Sequence, residues 1–247
     1  MKAMILAAGL GTRLRPLTDS RPKALVEVAG RTLLEITLTR LRDIGILDVI
    51  INTHHFAEMM EGYLKKNRDF GMRIEISREE TLLDTGGGLK KAAYFFKRGD
   101  SSEPFLLHNV DVISNIDIHR MLEWHKEQGA LATLAVQERK TSRYLVFDAN
   151  GYFRDRQAAG AGSVQPNVPG EHTQALAFSG IHIISRRLLS MMSEQGAFSI
   201  IDTYVRLAAA GEKITAFRAD AYEWRDLGKP ENVEKAAEDL ERKRVVF

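Results

Sequence analysis

The sequence predicts an α/β fold built on a mixed, mainly parallel central sheet. Two observations predict it: short apolar strands alternate with amphipathic helices through the first half of the chain, and the second half is richer in strands. The chain has 247 residues, of which 44% are hydrophobic, so a sizeable core is expected. That length suits one large α/β domain or two small ones.

Four strands and four helices are predicted in the first half of the chain. Short apolar runs that end at turn residues predict the strands, and apolar residues at helical spacing predict the helices. The predicted strands are 4–6, 49–51, 73–76 and 104–107. The predicted helices are 33–43, 57–66, 88–96 and 116–128, the last with Asn115 as its candidate N-cap.

The second half is predicted to add strands, helices and one loop. The strands are 131–136, 144–147, 177–184 and 214–217, the helices are 199–210 and 230–242, and the Gly-, Pro- and Ser-rich loop is 160–170. Pro230 stands at the first position of its helix, where proline is favoured. Because no linker separates the two halves, 1–128 and 129–247, residues 1–247 are predicted to form a single domain.

Composition excludes several classes of function. The formal net charge is +2, from 35 basic and 33 acidic residues, and so balanced a chain is not expected to bind nucleic acid over a broad surface. Cysteine is absent, which excludes disulfides, thiol catalysis and cysteine-ligated zinc and favours the cytoplasm. No apolar run reaches the length of a membrane span, so no membrane partner is expected.

A glycine-rich segment follows the first predicted strand. It reads GLGTR at 9–13, and the pair Pro22-Lys23 follows about ten residues later. Glycine lets a backbone come close to a ligand, and backbone N–H groups beyond the carboxyl end of a strand can bind phosphate. Arg13 would grip phosphate oxygens with its planar fork, and Lys23 would supply a movable point charge. The pattern therefore predicts a local site for a phosphorylated ligand.

Two common phosphate-binding motifs do not match this segment. A dinucleotide fingerprint needs a third glycine where Leu14 stands, and a P-loop needs serine or threonine after the lysine, where Ala24 stands. An ordinary connection between strand and helix, with surface charges, is the alternative interpretation of the glycines taken alone.

Two further segments carry related chemistry. Asp111 follows a buried strand, where a carboxylate is well placed to bind Mg²⁺ that a phosphate shares; a helix or turn cap is the alternative. Residues 86–88 are three consecutive glycines before a predicted helix. They would let a flat ring lie against the backbone, or they would form a flexible helix entry.

The N-terminal string resembles the signature of the sugar-1-phosphate nucleotidyltransferases, also called nucleoside-diphosphate-sugar pyrophosphorylases. It reads LAAGLGTRLRPLT at 6–18, followed by PKAL at 22–25. The resemblance covers nearly the whole chain and implies a three-layer Rossmann-like nucleotidyltransferase fold. It also implies that an NTP is condensed with a sugar 1-phosphate to give an NDP-sugar and pyrophosphate. The C-terminal β-helix that larger members add is not expected here.

The resemblance further implies which residues form the site. Asp111 and Asp226, the latter within WRDLG at 224–228, correspond to the family's two ligands for Mg²⁺, the expected cofactor. Arg13 and Lys23 complete the expected catalytic set. The expected nucleotide-binding residues are Leu6, Ala8, Gly9, Gly11, Thr12, Arg13, Thr85, Gly86, Gly87 and Asn109. The expected sugar-binding residues are Asn109, Ser179, Gly180 and Asp202.

Three departures from the family pattern leave the substrates open. Gly87 stands where some members have a glutamine in the base-binding loop, and Val110 replaces a glycine and is expected to narrow the space near the sugar. The Glu-Lys-Pro triplet, whose lysine holds the sugar phosphate, is missing, and Arg154-Asp155-Arg156 is the candidate replacement. The most similar branch uses UTP with N-acetylmuramate 1-phosphate or GTP with mannose or heptose 1-phosphate.

Two other functions stay open: a cytidylyltransferase with a non-sugar phosphate acceptor, and a catalytically silent subunit that senses nucleotides. The segments TGGG at 85–88 and FSG at 178–180 favour a sugar acceptor, and retention of both aspartates favours catalysis. The expected partners are therefore an NTP and a sugar 1-phosphate. The chain is expected to act in the cytoplasm as a monomer or small homo-oligomer.

Overall fold

The computed structural model describes residues 1–98, 103–158 and 172–241. The strands are β1 (Lys2–Leu6), β2 (Glu27–Val28), β3 (Arg31–Thr32), β4 (Asp48–Thr53), β5 (Arg73–Arg78), β6 (Phe105–Asn109), β7 (Val112–Ser114), β8 (Ala132–Gln137), β9 (Arg143–Phe147), β10 (Phe153–Ala158), β11 (Gln174–Ile184), β12 (Ile214–Arg218) and β13 (Trp224–Asp226). The helices are α1 (Leu33–Asp43), α2 (Ala57–Lys66), α3 (Asp84–Phe96), α4 (Ile118–Gln128), α5 (Arg187–Met191), α6 (Ile200–Ala209) and α7 (Pro230–Glu241). The predicted loop at 160–170 and the predicted helix residue 242 lie outside the described residues.

Nine of the described strands form one mixed sheet. Its main path runs β10-β9-β11-β6-β1-β4-β5, and β8 pairs with both β11 and β12. The run β6-β1-β4-β5 is parallel, with Met4 opposite Ile50 on one side and Leu107 on the other. β11 is antiparallel to β6, β8 and β9. The predicted α/β class with a mixed central sheet is confirmed.

Apolar residues on the two faces of the sheet belong to two separate layers. In β1, Ala3 and Ile5 pack with the apolar residues of α1, α2, α4 and α7. Met4 and Leu6, which alternate with them, pack with those of α3, α5 and α6. Successive strand side chains point to opposite faces, so one strand supplies both layers. The result is the predicted three-layer arrangement of helices, sheet and helices.

Local signals explain why several helices match their predicted limits. α1 begins after Thr32, whose hydroxyl accepts a hydrogen bond from the Glu35 N–H at 3.0 Å, a normal N-cap contact. It ends before Gly45, whose φ of +79° suits glycine. α6 begins with a capping box between Ser199 and Asp202.

Two predicted helix starts are wrong. α3 begins at Asp84, before the glycine run, because the glycines pack as part of the helix and do not form a separate entry loop. α4 begins at Ile118 with Asp117 as its N-cap, since the Asp117 carboxylate accepts the Arg120 N–H at 2.9 Å. Asn115, the predicted cap, instead accepts a hydrogen bond from the Glu223 N–H at 2.8 Å.

Strand β11 changes partners along its length. Its N-terminal part pairs with β9 and its C-terminal part with β6. The register against β8 shifts between Phe178 and His182. Gly180 lies in this shift with a φ of +74°, a conformation that favours glycine. The shift places an irregular stretch of β11 beside the carboxyl end of β6.

A two-stranded ribbon joins the middle of the chain to its C-terminal part. β7 and β13 are antiparallel, with Asp226 opposite Val112. The Leu227 N–H donates to the Asp111 carbonyl oxygen at 2.7 Å. Asp111 and Asp226 are thereby fixed on neighbouring backbones, although they are distant in sequence.

None of the helices within 1–98, 103–158 and 172–241 is long and apolar enough to cross a membrane.

His108, His125 and His182 are buried histidines of the sheet and its helices. Burial lowers the pKa of His108 and of His125 to about 4, and it lowers that of His182 to about 3. The unfolded chain has an ordinary histidine pKa of about 6.5, so it binds more protons than the folded state below that pH. The stability that these neutral rings contribute is present above about pH 6.5 and is lost as the pH falls toward 4.

Replacing His125 by Gln should make the free energy of unfolding less dependent on pH. A histidine with this shift weakens the protein by about 2 kcal/mol between pH 7 and pH 5. Denaturant unfolding at both pH values measures the difference for wild type, H125Q and the exposed control H119Q on the same helix. We expect the difference to shrink only in H125Q. Equal differences in the three proteins would contradict this explanation.

Candidate active site

The glycine-rich loop after β1 folds back onto the segment that carries Lys23. Gly11 has a φ of +65°, and a Cβ there would lie 2.9 Å from Thr18 Cγ2 and 3.1 Å from Lys23 Cβ. The Thr18 hydroxyl donates to the Gly11 carbonyl oxygen at 2.9 Å. Gly9 and Thr12 are exposed in this loop. The loop therefore has both the open backbone and the nearby cation that a phosphate site needs.

Leu6 and Ala8, which precede the glycines, are buried. The Leu6 carbonyl oxygen accepts the Val110 N–H at 3.2 Å, which ties β1 to the end of β6. Val110 is fully buried in the layer that contains α1 and does not line the cleft described below. The expectation that Val110 narrows the space near the sugar is therefore wrong, because its side chain points into the core.

Lys23 and Asp111 form a largely buried ion pair. The Lys23 Nζ lies 3.0 Å from Asp111 Oδ2, and the two side chains are 15% and 11% exposed. Burial alone would raise the pKa of the Asp111 carboxyl, but the charge and hydrogen bond of Lys23 oppose it. With help from backbone N–H and Arg13, they hold that pKa below its ordinary value. Asp111 is therefore ionised at neutral pH.

Asp226 lies in the same cleft as Asp111. The cleft has a volume of about 410 Å³, and both aspartates line it. Asp226 Oδ1 accepts the Gly228 N–H at 2.7 Å, which fixes one oxygen of the carboxylate. The ribbon of β7 and β13 thus brings together the two carboxylates that the sequence predicts as partners.

Arg13 reaches the same place from the glycine-rich loop. A Cβ at Gly228 would lie 2.8 Å from Asp226 Oδ1 and 2.9 Å from Arg13 Nη2. The Asp226 carboxylate and the Arg13 guanidinium therefore both pack against the backbone of Gly228, where a side chain would clash with both groups. Arg13 lines the cleft and makes no hydrogen bond or ion pair with the described residues. All four predicted catalytic residues, Arg13, Lys23, Asp111 and Asp226, are close together.

The donor set at this point fits Mg²⁺. Asp111 and Asp226 supply hard carboxylate oxygens, the ligand type that Mg²⁺ prefers. In the part of the chain that the structure describes, no group of three or more His, Cys, Asp or Glu residues could hold a metal. Two carboxylates would leave most positions around the ion to water and phosphate, as is usual where Mg²⁺ binds with a nucleotide.

The predicted base-binding residues lie where α3 meets α6. Thr85 lines the cleft, and its hydroxyl accepts the Ile200 N–H at 3.0 Å. The N–H groups of Gly86 and Gly87 donate to the Phe198 carbonyl oxygen at 2.9 and 3.3 Å. A Cβ at Gly86 would lie 2.3 Å from the Phe198 ring. Gly86 and Gly87 thus allow close packing under the 196–198 segment, and neither lines the cleft.

Asn109 and Gly180, two of the predicted sugar-binding residues, both line the cleft. A Cβ at Gly180 would lie 2.9 Å from Asn109 Nδ2 and 2.9 Å from Val112 Cγ2. The cleft therefore runs between the end of β6 and the irregular part of β11. Ser179 is buried and does not line it, and its carbonyl oxygen accepts the Trp224 Nε1–H at 2.7 Å.

Asp202 stands at the edge of the cleft and does not line it. Its carboxylate lies 2.5 Å from Arg156 Nη1, and it also takes part in the capping box of α6. Arg156 lines the cleft, whereas Arg154 pairs with the buried Asp148 at 2.6 Å. Of the predicted replacement triplet Arg154-Asp155-Arg156, Arg156 alone is among the lining residues.

A buried polar network that the sequence did not reveal connects the segment after β1 to the segment before α3. The Asn52 side chain accepts the Ala7 N–H at 2.8 Å and donates to Glu79 Oε1 at 2.7 Å. Glu79 Oε2 accepts the Leu83 N–H at 3.0 Å. Asn52 lies near the carboxyl end of β4 and Glu79 just follows β5. Polar residues at the carboxyl ends of parallel strands are the signal that could have identified them.

Two other lining residues also escaped the sequence analysis. Asp84 has a φ of +58° and accepts the Thr85 N–H at 2.6 Å. Asp84 is the first residue of α3, and aspartate adopts this left-handed conformation more readily than most residues. Arg139 reaches the cleft from the connection after β8 and stacks on Trp224, with its Cζ 3.7 Å from the ring centroid. Asp84 directly precedes the TGGG segment at 85–88, whereas no local motif marks Arg139.

The chain is similar to proteins of one known family. Residues 2–243 match the family model described as nucleotidyl transferase. N-acetylmuramate alpha-1-phosphate uridylyltransferase of Caulobacter vibrioides is 35% identical over 218 residues, or 85% of each chain. Mannose-1-phosphate guanyltransferase of Candida albicans is 30% identical over 94% of this chain, which spans 62% of that protein's length.

Among solved structures, HddC from Yersinia pseudotuberculosis has the same fold. Its TM-score is 0.77 at 23% identity, and the match covers 97% of this chain and 99% of that one. The extent of the family match and the 35% identical relative together decide the classification. The chain belongs to the nucleotidyl transferase family.

Proposed function

We propose that this protein condenses an NTP with a sugar 1-phosphate to give an NDP-sugar and pyrophosphate. The observation that carries the proposal is the meeting of Asp111, Asp226, Lys23 and Arg13 beside the glycine-rich loop. Two carboxylates next to two cations and an exposed glycine-rich backbone suit the transfer of a charged phosphoryl group. The relatives named above bear names of such enzymes.

The reaction needs positioning and charge neutralisation more than covalent chemistry. An oxygen of the acceptor phosphate attacks the α-phosphorus of the NTP, and the bond to the β-phosphate oxygen breaks in line. The acceptor phosphate is already an anion at neutral pH, so no protein base is required. The main obstacle is the repulsion between two polyanions, which a preorganised set of cations reduces.

The residues of this chain divide that task. Arg13 and the backbone N–H groups of the loop would hold the pyrophosphate that leaves. Lys23, once released from Asp111, would offer its donors to the phosphate at the reacting centre. Asp111 and Asp226 would hold Mg²⁺, which when bound neutralises phosphate charge and orients the α-phosphate.

Further parts of the proposal concern substrates and setting. The uridylyltransferase name of the Caulobacter relative supports UTP with N-acetylmuramate 1-phosphate as the first pair to test. The Candida relative supports GTP with mannose 1-phosphate as the second. We propose a cytoplasmic monomer or small homo-oligomer, in which 1–128 binds the nucleotide and 129–247 binds the sugar within one domain.

A matrix of substrates tests the function. Four NTPs are each mixed with the 1-phosphates of N-acetylmuramate, mannose, heptose and glucose, with phosphocholine as a non-sugar acceptor. We expect pyrophosphate release and an NDP-sugar, identified by mass spectrometry, with at least one sugar. Pyrophosphate with phosphocholine alone would assign the cytidylyltransferase alternative, and silence throughout would refute the proposed reaction.

Replacing either aspartate by asparagine should remove most turnover while the fold is kept. D111N and D226N keep the size of the side chain but lose the charge that holds a dication, so kcat should fall by about 100-fold or more. The exposed Asp43 on α1 provides the control D43N, which should turn over normally. Thermal melting verifies folding. Near-normal rates in folded D111N or D226N would disprove the metal assignment.

Removal of divalent metal should stop the reaction without unfolding the protein. Two carboxylates hold an ion weakly enough for EDTA to take it, and excess Mg²⁺ should restore the rate. Pyrophosphate release is followed before and after EDTA, and melting temperature is recorded under the same conditions. Full activity in EDTA would show that no exchangeable metal is needed.

A further inference from the structure

We infer that Arg139 is a substrate-binding residue that holds the phosphate of the sugar 1-phosphate. The inference rests on the proposed function and identifies a cation for the acceptor that the sequence did not reveal. Three observations support it: how the Arg139 guanidinium is held, which charges lie near it, and which strands it contacts.

Arg139 is held rigidly at the wall of the cleft. Its guanidinium carbon lies 3.7 Å from the centroid of the Trp224 ring, within the range of a cation–π contact. Its Nη2–H donates to the Phe178 carbonyl oxygen at 2.6 Å. An arginine fixed on one face and at one nitrogen loses little further entropy when it binds an anion.

The remaining donors of this guanidinium have no protein partner among the described residues. Arg139 Nε is buried and forms no hydrogen bond. Nη1 makes none with residues that the structure describes, and the side chain lines the cleft. Burial lowers the pKa of Arg139 from its ordinary value, and the charge of Asp226 partly offsets this. A partly buried cation without a paired carboxylate is stabilised when an anion arrives beside it.

The contacts of Arg139 place it on the sugar side of the reacting centre. Phe178, which accepts its hydrogen bond, stands two residues before Gly180, a lining residue. Arg139 stacks on Trp224, which stands two residues before Asp226 in β13. The side chains of Trp224 and Asp226 therefore lie on the same face of that strand. Arg139 therefore links the strand that borders the sugar to the strand that carries a predicted metal ligand.

The other arginines of the cleft are less suited to this role. Arg156 is neutralised by Asp202 at 2.5 Å. Arg143 is exposed on β9, and Arg13 comes from the loop that we assign to the leaving pyrophosphate. Arg139 combines burial, a fixed orientation and unused donors. The N–H groups of Nη1 and the second N–H of Nη2 can contact two oxygens of the acceptor phosphate and leave the third to attack the α-phosphorus.

Steady-state kinetics of variants tests this assignment with the substrate pair that is active in the wild type. We expect R139Q to raise KM for the sugar 1-phosphate by about 10- to 100-fold, the effect of one lost charge-assisted contact, while KM for the NTP stays within about twofold of wild type. R139K keeps the charge but loses the fork, so its KM should be intermediate. R120Q removes an exposed arginine of α4 and should behave as wild type.

A split between the two KM values distinguishes binding of the acceptor from general damage to the cleft. Equal rises for both substrates, or unchanged values, would overturn the role of Arg139. If R156Q raises the KM for the sugar 1-phosphate and R139Q leaves it at the wild-type value, the role belongs to Arg156 and not to Arg139. If melting shows that R139Q is unfolded, the KM of R139K for the sugar 1-phosphate is the test. A wild-type KM in R139K would then overturn the inference. A wild type that releases no pyrophosphate would refute the reaction itself, before any variant is made.

Discussion

The candidate site depends on one short ribbon that keeps two like charges together. The hydrogen bond from the Leu227 N–H to the Asp111 carbonyl oxygen and the pairing of β7 with β13 hold the backbones of Asp111 and Asp226 side by side. Two carboxylates in one cleft repel each other, so the arrangement persists only where cations compensate. Lys23 compensates Asp111 directly at 3.0 Å, and Arg13 packs beside Asp226 over Gly228. The fold thus keeps two carboxylates in one cleft, and Lys23, Arg13 and the dication that we propose there would reduce their mutual repulsion.

The sheet explains why these groups meet. The parallel run β6-β1-β4-β5 directs the ends of its strands to one edge, where the glycine-rich loop, Asn52 and Asn109 are found. β11 then continues the sheet in the antiparallel direction, and its register shift at Gly180 turns it beside Asn109. The strands before and after residue 128 therefore belong to one sheet, and the cleft lies where β6 and β11 meet. This arrangement brings Arg139, which contacts Phe178 of β11 and Trp224 of β13, to the cleft that Asp111 and Asp226 also line.

The sequence was informative where a strong local pattern decided the structure. The limits of α1 and α2 agree with their apolar spacing. Arg13 and Lys23 were predicted from a long specific string, and Asp111 was predicted from its place after a buried strand. Ribbon β7-β13 was not predicted, because strands of three residues carry no periodicity. The start of α3 was missed because glycines usually end helices, and only the packing under Phe198 explains them here. Glu79 and Arg139 act through contacts between distant segments, which no local motif reports.

Asn52 and Glu79 form a bridge between two segments at the edge of the sheet. Both residues are almost completely buried, and together they join the amide of Ala7 to the amide of Leu83. One end of this bridge supports the loop that we assign to the triphosphate, and the other supports the segment assigned to the base. The separation of these two segments is therefore set by the buried carboxamide of Asn52 and the buried carboxylate of Glu79. A nucleotide that contacts both segments would have to match a separation that the interior of the protein fixes.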